Sequence, residues 1–356
     1  MTNSARTTTA ANPHLPKKPA GTLPKLLGSL GALTAIVVVL LMLFVLPSLK
    51  SGPHDLATGT VGDAQTTGAL NANLEAVAPG AFVPETFADE AALRDAILDR
   101  SVNGGYVVEG DTVRLLTATA GSAAISGSLT QTTTAAAGAA GLTVTVEDLV
   151  PYTADDPSGI GIGGLAFPLV FGGIVPAVVA MKLFPGRLKM QLVSAGSFAV
   201  VGGVVVTSIL RFWFGSFEGS ILLPAAALGL GIAAISVPLL GLQALFGGKG
   251  FTALAASMMF LGNPLAGIGT SGAWLPSGLG LFGQLLPPGS TGTLMRSAAY
   301  FDGKGATGAV IILAAWVVAG IALCVVGARR QKAVDEAELV ILDAELEASL
   351  ATSDVV

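Results

Sequence analysis

The chain has 356 residues, of which 52% are hydrophobic and 12% charged, with a formal net charge of −5. So apolar a composition lies far from that of soluble domains and places the chain in a bilayer. The negative balance excludes nucleic acid as a partner, because phosphates call for a basic surface. The single cysteine, Cys324, excludes an intramolecular disulfide, and His14 and His54 lie apart in polar segments, so neither residue type builds a metal site.

Residues 1–25 combine Thr, Ala and Pro with Arg6, Lys17, Lys18 and Lys25. That composition cannot form a core and reads as a disordered cytoplasmic tail. A charge-free run from Leu26 to Leu46 follows, closed by Pro47. Its apolar stretch exceeds the roughly 7–15 residues of a signal peptide, and SLKSGP is a poor cleavage site. Residues 26–47 therefore read as an uncleaved transmembrane anchor.

Residues 50–156 are polar and carry four basic against fourteen acidic side chains. This stretch cannot span a bilayer and suffices for one small globular domain. TFADEAALRDAILDR has helical spacing, with Thr86 and Glu90 as a capping pair. GGYVVEGDTVRLLTAT reads as two strands joined by a Gly-Asp turn. SAAISGSLTQTTTAAAGAA predicts a second helix and LTVTVEDLV a strand, while Leu56 to Val77 adds a strand and a helix. The expectation is a small α/β domain.

After PYTADDPSG, residues 160–328 hold five further spans: Ile160–Met181, Met190–Leu210, Ser220–Phe246, Phe251 to about Leu265, and Thr307–Ala328. With the anchor this makes six. Basic loops stay in the cytoplasm, and the N-tail, KLFPGRLKM, GGKG and ARRQK all fall on one side. Both termini are then cytoplasmic and the acidic domain is external. Residues 329–356 form an acidic cytoplasmic tail with Leu339, Leu342, Leu346 and Leu350 at helical steps, either a solvated helix or a docking helix.

Catalytic constellations are missing from the sequence: there is no GxxxxGK[ST], HExxH or GxSxG, and no nucleophile with its base. The reading is a non-enzyme without cofactor. The spans contain essentially no charge, against a buried proton relay. Gln243 reads as interhelical glue. Asp155 and Asp156 are adjacent acids directly before a membrane entry; such a pair can hold a cation, and the ordinary alternative is two solvated carboxylates.

The stretch GNPLAGIGTSGAWLPSGLGLFGQLLPPG, Gly262 to Gly289, is free of charge yet broken by Gly and Pro throughout. Non-helical backbone cannot face lipid, since each unpaired N–H and C=O costs several kcal/mol there. It must be sheltered by protein or line a cavity. Leu281–Leu286 predicts a short helix dipping into the membrane and TLMRSAAYF a second, with Arg296, Tyr300 and Phe301 near the interface, so that about 266–301 form a re-entrant segment. The alternative is an external loop that only closes the bundle.

This order of anchor, external α/β domain, five C-terminal spans and Pro/Gly-rich re-entrant pair resembles the ABC-2-type transporter membrane subunits, and more closely their YhgE/Pip-like branch in actinobacteria. The sharpest likeness lies in DDPSG, LGNPLAG and WLPSGLGLFGQLLPPGSTGTLMRSAAYF. The resemblance implies a permease subunit of the bacterial plasma membrane that exports an amphipathic or lipidic substrate. It implies a homodimer in contact with membrane lipid and a separate ATPase chain. The substrate path would be walled by spans two and five and the re-entrant residues Asn263, Pro264, Trp274, Pro276, Gln284, Pro287, Pro288 and Arg296. ATPase coupling would fall around Pro24–Ser29 and Phe184–Lys189, through Arg187 and Lys189. The cytoplasmic loop is shorter than that pattern, which leaves open a non-transporting envelope protein, a secretion accessory or phage receptor whose external domain binds a partner.

Overall fold

A computed structural model describes residues 22–353. The tail expected over 1–21 lies outside them, whereas Thr22 to Lys25 already belong to the first helix, α1 (Thr22–Lys50). Pro47 does not end α1. It sits in the last turn, where the backbone bond it removes is one of few remaining, and the Ser51 hydroxyl donates to its carbonyl at 2.6 Å. Most of the large side chains of α1 are exposed in the single chain.

The α/β domain is a five-stranded sheet in the order β2-β1-β3-β4-β5, formed by β1 (Leu56–Val61), β2 (Phe82–Thr86), β3 (Gly105–Glu109), β4 (Thr112–Thr117) and β5 (Thr143–Asp148). Only the β3–β4 hairpin is antiparallel. Its helices are α2 (Ala64–Val77), α3 (Glu90–Leu98) and α4 (Ala123–Ala139). Side chains alternate across a strand, and two cores result. Leu56, Tyr106, Val108, Val113 and Leu115 face α2 and α4, while Val107 and Leu116 face α3. Sequence reasoning found every element except β2, whose Pro84 and largely exposed pattern mark an edge strand. It also misplaced the cap of α3: Thr86 ends β2, and the carboxylate of Asp89 accepts from the Ala92 amide at 2.8 Å. An Asp at that position is a strong N-cap.

The remaining helices are α5 (Ile160–Gly163), α6 (Ala166–Leu183), α7 (Leu188–Phe212), α8 (Leu222–Ser257), α9 (Leu279–Leu285), α10 (Pro287–Tyr300) and α11 (Thr307–Ser353). Five helices among the described residues are long and apolar enough to cross a membrane: α1, α6, α7, α8 with its continuation to Gly262, and α11. The fourth is not straight. Gly247 takes φ 62° and ψ −153°, outside the helical region, as only glycine does at low cost. A Cβ on Gly250 would lie 2.7 Å from the Leu242 carbonyl oxygen, although eight helical residues would separate them by about 12 Å. The chain therefore doubles back at GGKG, and the limb 248–262 returns beside the one it left, ending in a π-helical turn, Met258–Gly262. α11 runs unbroken into the acidic segment; Leu339 and Leu342 are exposed there, and the side chains of Leu346 and Leu350 lie outside those described.

Candidate functional site

Three neighbouring features converge at one end of the helix bundle. The first is the re-entrant element. Its loop runs from Asn263 through a 3₁₀ turn, Gly272–Trp274, to α9, and Pro287 and Pro288 open α10, where a missing N–H costs nothing. The corner between α9 and α10 lies deep along the bundle. Thr291 sits where Gly231 leaves room, nine residues into α8, and the Trp316 indole N–H, nine residues into α11, donates to the Leu285 carbonyl at 2.9 Å. Nine residues correspond to about 14 Å of helix.

Several polar groups in this element bond to one another, as burial favours. The Gln284 amide nitrogen donates to the Ala266 carbonyl at 3.1 Å, and its side-chain oxygen accepts from Thr293 Oγ1 at 2.6 Å. Ser290 Oγ donates to the Gln284 carbonyl at 2.5 Å and Thr291 Oγ1 to that of Pro287 at 2.6 Å. Arg296 is 4% exposed and donates to the Ile268 carbonyl at 2.7 Å. Burial inside this cluster, instead of the interfacial position expected for Arg296, follows from the inward face it occupies on α10. Asn263, Pro287 and Pro288 are buried; Pro264, Trp274, Pro276 and Gln284 are half-buried. The void among Leu165, Leu228, Ile268 and Met295 is too small for water. The element is a closed plug.

The second feature is the docking of the α/β domain onto that plug. Phe301 is 4% exposed because it enters the α3-side core of that domain. Trp274 packs against the other core and its carbonyl accepts from the Gly52 amide at 3.0 Å. Arg100 stacks on the Phe301 ring at 5.1 Å and donates to Ser297 Oγ at 2.5 Å. Its burial, and then the like charge of Arg296, push the Arg100 guanidinium down to about 10. Lys304 pairs with Asp99 at 2.8 Å.

The third feature is a cleft of about 700 Å³ between α5–α6 and the outer end of α7. Pro168, Val206, Ile209 and Leu210 wall it, and Asp155, Asp156, Trp213, Phe214 and Ser216 close its upper end. Thr153 Oγ1 donates to the Gly215 carbonyl at 2.6 Å and accepts from the Asp156 amide at 3.2 Å, which fixes this entry segment against the loop after α7. Both Asp156 oxygens accept backbone amides, from Ile160 and Gly161, each at 2.8 Å. Tyr300 on α10 donates to the Ser216 carbonyl at 2.7 Å and meets Tyr152 edge-on at 5.7 Å between centroids. Cleft, plug and α/β domain are thus joined through Ser216, Tyr300, Phe301 and Arg100.

The plug residues and the two acids stand out in the sequence, whereas Trp213, Phe214 and Ser216 lie between two expected spans with no motif to mark them. The expected path also runs beside spans two and five, whereas the roomy space lies between α6 and α7. Arg187 and Lys189 are exposed at the tight α6–α7 connection. Among the described residues no group of three or more His, Cys, Asp or Glu is placed to hold a metal. No protein-family model, curated protein or solved structure matches the chain.

Proposed function

We propose that the chain is a permease-like subunit of a bacterial plasma membrane that moves an amphipathic or lipidic molecule outward. The observation that carries this reading is the cleft: apolar along its walls, polar at its outer end, and in contact with a sealed plug that is itself bonded to the external domain. Amphipathic ligands need that pairing of surfaces. A plug that shelters irregular backbone within protein is what membrane depth requires.

The chain crosses the membrane six times in this reading, with the two limbs of α8 as separate crossings. The returning limb, 15 residues or about 22 Å, stops short of the far surface and hands over to the plug, whose corner at about 14 Å reaches halfway through a hydrocarbon core of roughly 30 Å. Lys182, Arg187, Lys189, Lys249, Arg329, Arg330 and Lys332 then share the cytoplasmic side. On the opposite side Arg94, Arg114 and Lys304 are ion-paired and Arg296 is buried, which leaves Lys50, Arg100 and Arg211 as the cations against this orientation. Cysteine at Asp111 should react with an impermeant thiol reagent applied outside, and cysteine at Lys332 should not; the opposite labelling inverts the topology.

Arg187 and Lys189 are where a separate ATPase chain would dock, and the apolar surface of α1 is available to a second copy. Val206→Trp fills the cleft and should abolish export of an amphipathic dye from cells while the amount of membrane-inserted protein is unchanged. Undiminished export by that variant removes the cleft from the path.

A second reading, a non-transporting envelope protein whose external domain binds a partner, is favoured by the free edge of β5, where Val146 is 52% exposed. Such an edge accepts an added strand. Thr143 and Leu149 donate toward β4, so the Val146 N–H faces the free side and Val146→Pro blocks strand addition without touching the β4–β5 ladder; loss of function with dye export intact favours this reading.

A further inference from the structure

We infer that the α6–α7 cleft selects amphiphiles with a positively charged head, an alkylammonium or amine, held at its outer end by Asp155. This deepens the permease reading and rests on it for movement of the ligand, though not for binding.

The volume of about 700 Å³ falls within the roughly 300–1,000 Å³ typical of small-molecule pockets, and four apolar side chains wall the part that would hold a chain. The outer end carries two carboxylates, and among the described residues no Lys or Arg forms an ion pair with either. Asp156 is 8% exposed and spends its oxygens on the amides of Ile160 and Gly161, so it acts as a fixed negative charge. Asp155 is the exposed one, laid over Gly215, where a Cβ would come within 2.7 Å of its own Cβ. The nearest cation along α7, Arg211, is turned elsewhere: its Nε donates to the Gly219 carbonyl at 3.3 Å and its guanidinium stacks on Phe212.

Two further observations point to an occupant. Ser216 is fully buried, lines the cleft, and its hydroxyl has no hydrogen-bond partner. A buried hydroxyl without a partner is disfavoured, and an amine head brought to this end of the cleft would supply an N–H donor for it. The rings of Trp213, 82% exposed, and Phe214 border the same end, and aromatic faces attract cations within about 6 Å. An anionic head would meet two carboxylates and is rejected by like charge.

The test uses the full chain in phosphatidylcholine nanodiscs and reads quenching of Trp213 fluorescence by bromododecylammonium, with Trp213→Phe as the blank. Binding should be at least about tenfold tighter than for bromododecyl sulfate, should weaken with added salt as an interfacial charge pair does, and should fall several-fold in Asp155→Asn and recover in Asp155→Glu. Equal affinity of the wild-type protein for the cationic and sulfate probes overturns the inference without reference to any variant, and so does salt-independent binding. Dye export distinguishes the two readings. Selective binding without export leaves the site standing and removes the permease role, whereas export indifferent to head-group charge does the reverse.

Discussion

The α/β domain and the helix bundle are packed by different means. In the domain, alternating strand residues bury side chains against side chains, and charged groups tie helix to sheet: Arg94 bridges Glu90 and Glu147, and Arg114 pairs with Glu90. In the bundle and its plug, backbone approaches backbone through glycine. A Cβ on Gly203 would lie 2.6 Å from the Ala225 carbonyl oxygen, on Gly241 2.7 Å from that of Gly320, and on Gly320 2.6 Å from the Pro238 nitrogen. Water supplies the domain with a hydrophobic driving force, while in lipid the helices must gain from close contact alone. Close backbone approach through glycine is thus the bundle's main device, while in the domain it is confined to places such as Gly105 against the Gly59 carbonyl.

The largest expected effect tests that contrast. In Gly283→Val the new side chain is driven into the Leu265 carbonyl, which is backbone and cannot swing aside. No monodisperse protein should survive extraction. Gly59→Ala in β1 meets the terminal methyl of Leu93 and the ring edge of Phe87, which can shift, so the loss should be about 1–2 kcal/mol, the lower part of the overpacking range. Comparable loss from both substitutions, read by size-exclusion recovery and thermal unfolding, would erase the distinction.

Phe301→Ala asks whether the two regions are one cooperative unit. It empties a site in the domain core and removes the ring under Arg100, for a cost of about 3–4 kcal/mol. The domain should then unfold in a separate, earlier thermal transition and be clipped sooner by protease, with the bundle intact. A single undivided transition at the wild-type midpoint would mean that the docking contact is incidental.

The same contrast explains what could be read from the sequence. Strands and helices of the domain follow from local alternation and spacing, and the missed β2 is the strand with Pro84 and only its first residue buried. The reversal at GGKG and the broken helix before α10 were legible because Gly, Pro and Lys interrupt apolar runs. The cleft was not. Its existence depends on how far α6 and α7 diverge, and Ser216 becomes a lining residue only because a loop distant in sequence folds over it. Phe301 read as an interfacial anchor since nothing local shows that it enters a core about 200 residues away in the chain. Asp155 and Asp156 are visible as charges in the sequence, but that neither has an ion-pair partner among the described residues is a three-dimensional fact.

The smallest expected effect belongs to the charged ties of the domain, and its sign follows from Glu147. The hydrogen bond from Arg94, at 2.5 Å, holds this carboxyl below its usual value of 4.5. A carboxylate with a depressed folded pKa contributes stability that is fully present above its unfolded pKa and is lost as pH falls through the lower folded value. The domain should therefore weaken slightly on going from pH 5 to more acid solution, and Glu147→Gln should remove that part of the slope. Because Glu147 is 42% exposed, solvent screens the pair and the difference stays below about 1 kcal/mol. It should shrink further in high salt. An effect of Glu147→Gln as large as that of Phe301→Ala would show that charge, and not side-chain burial, holds the α/β domain together.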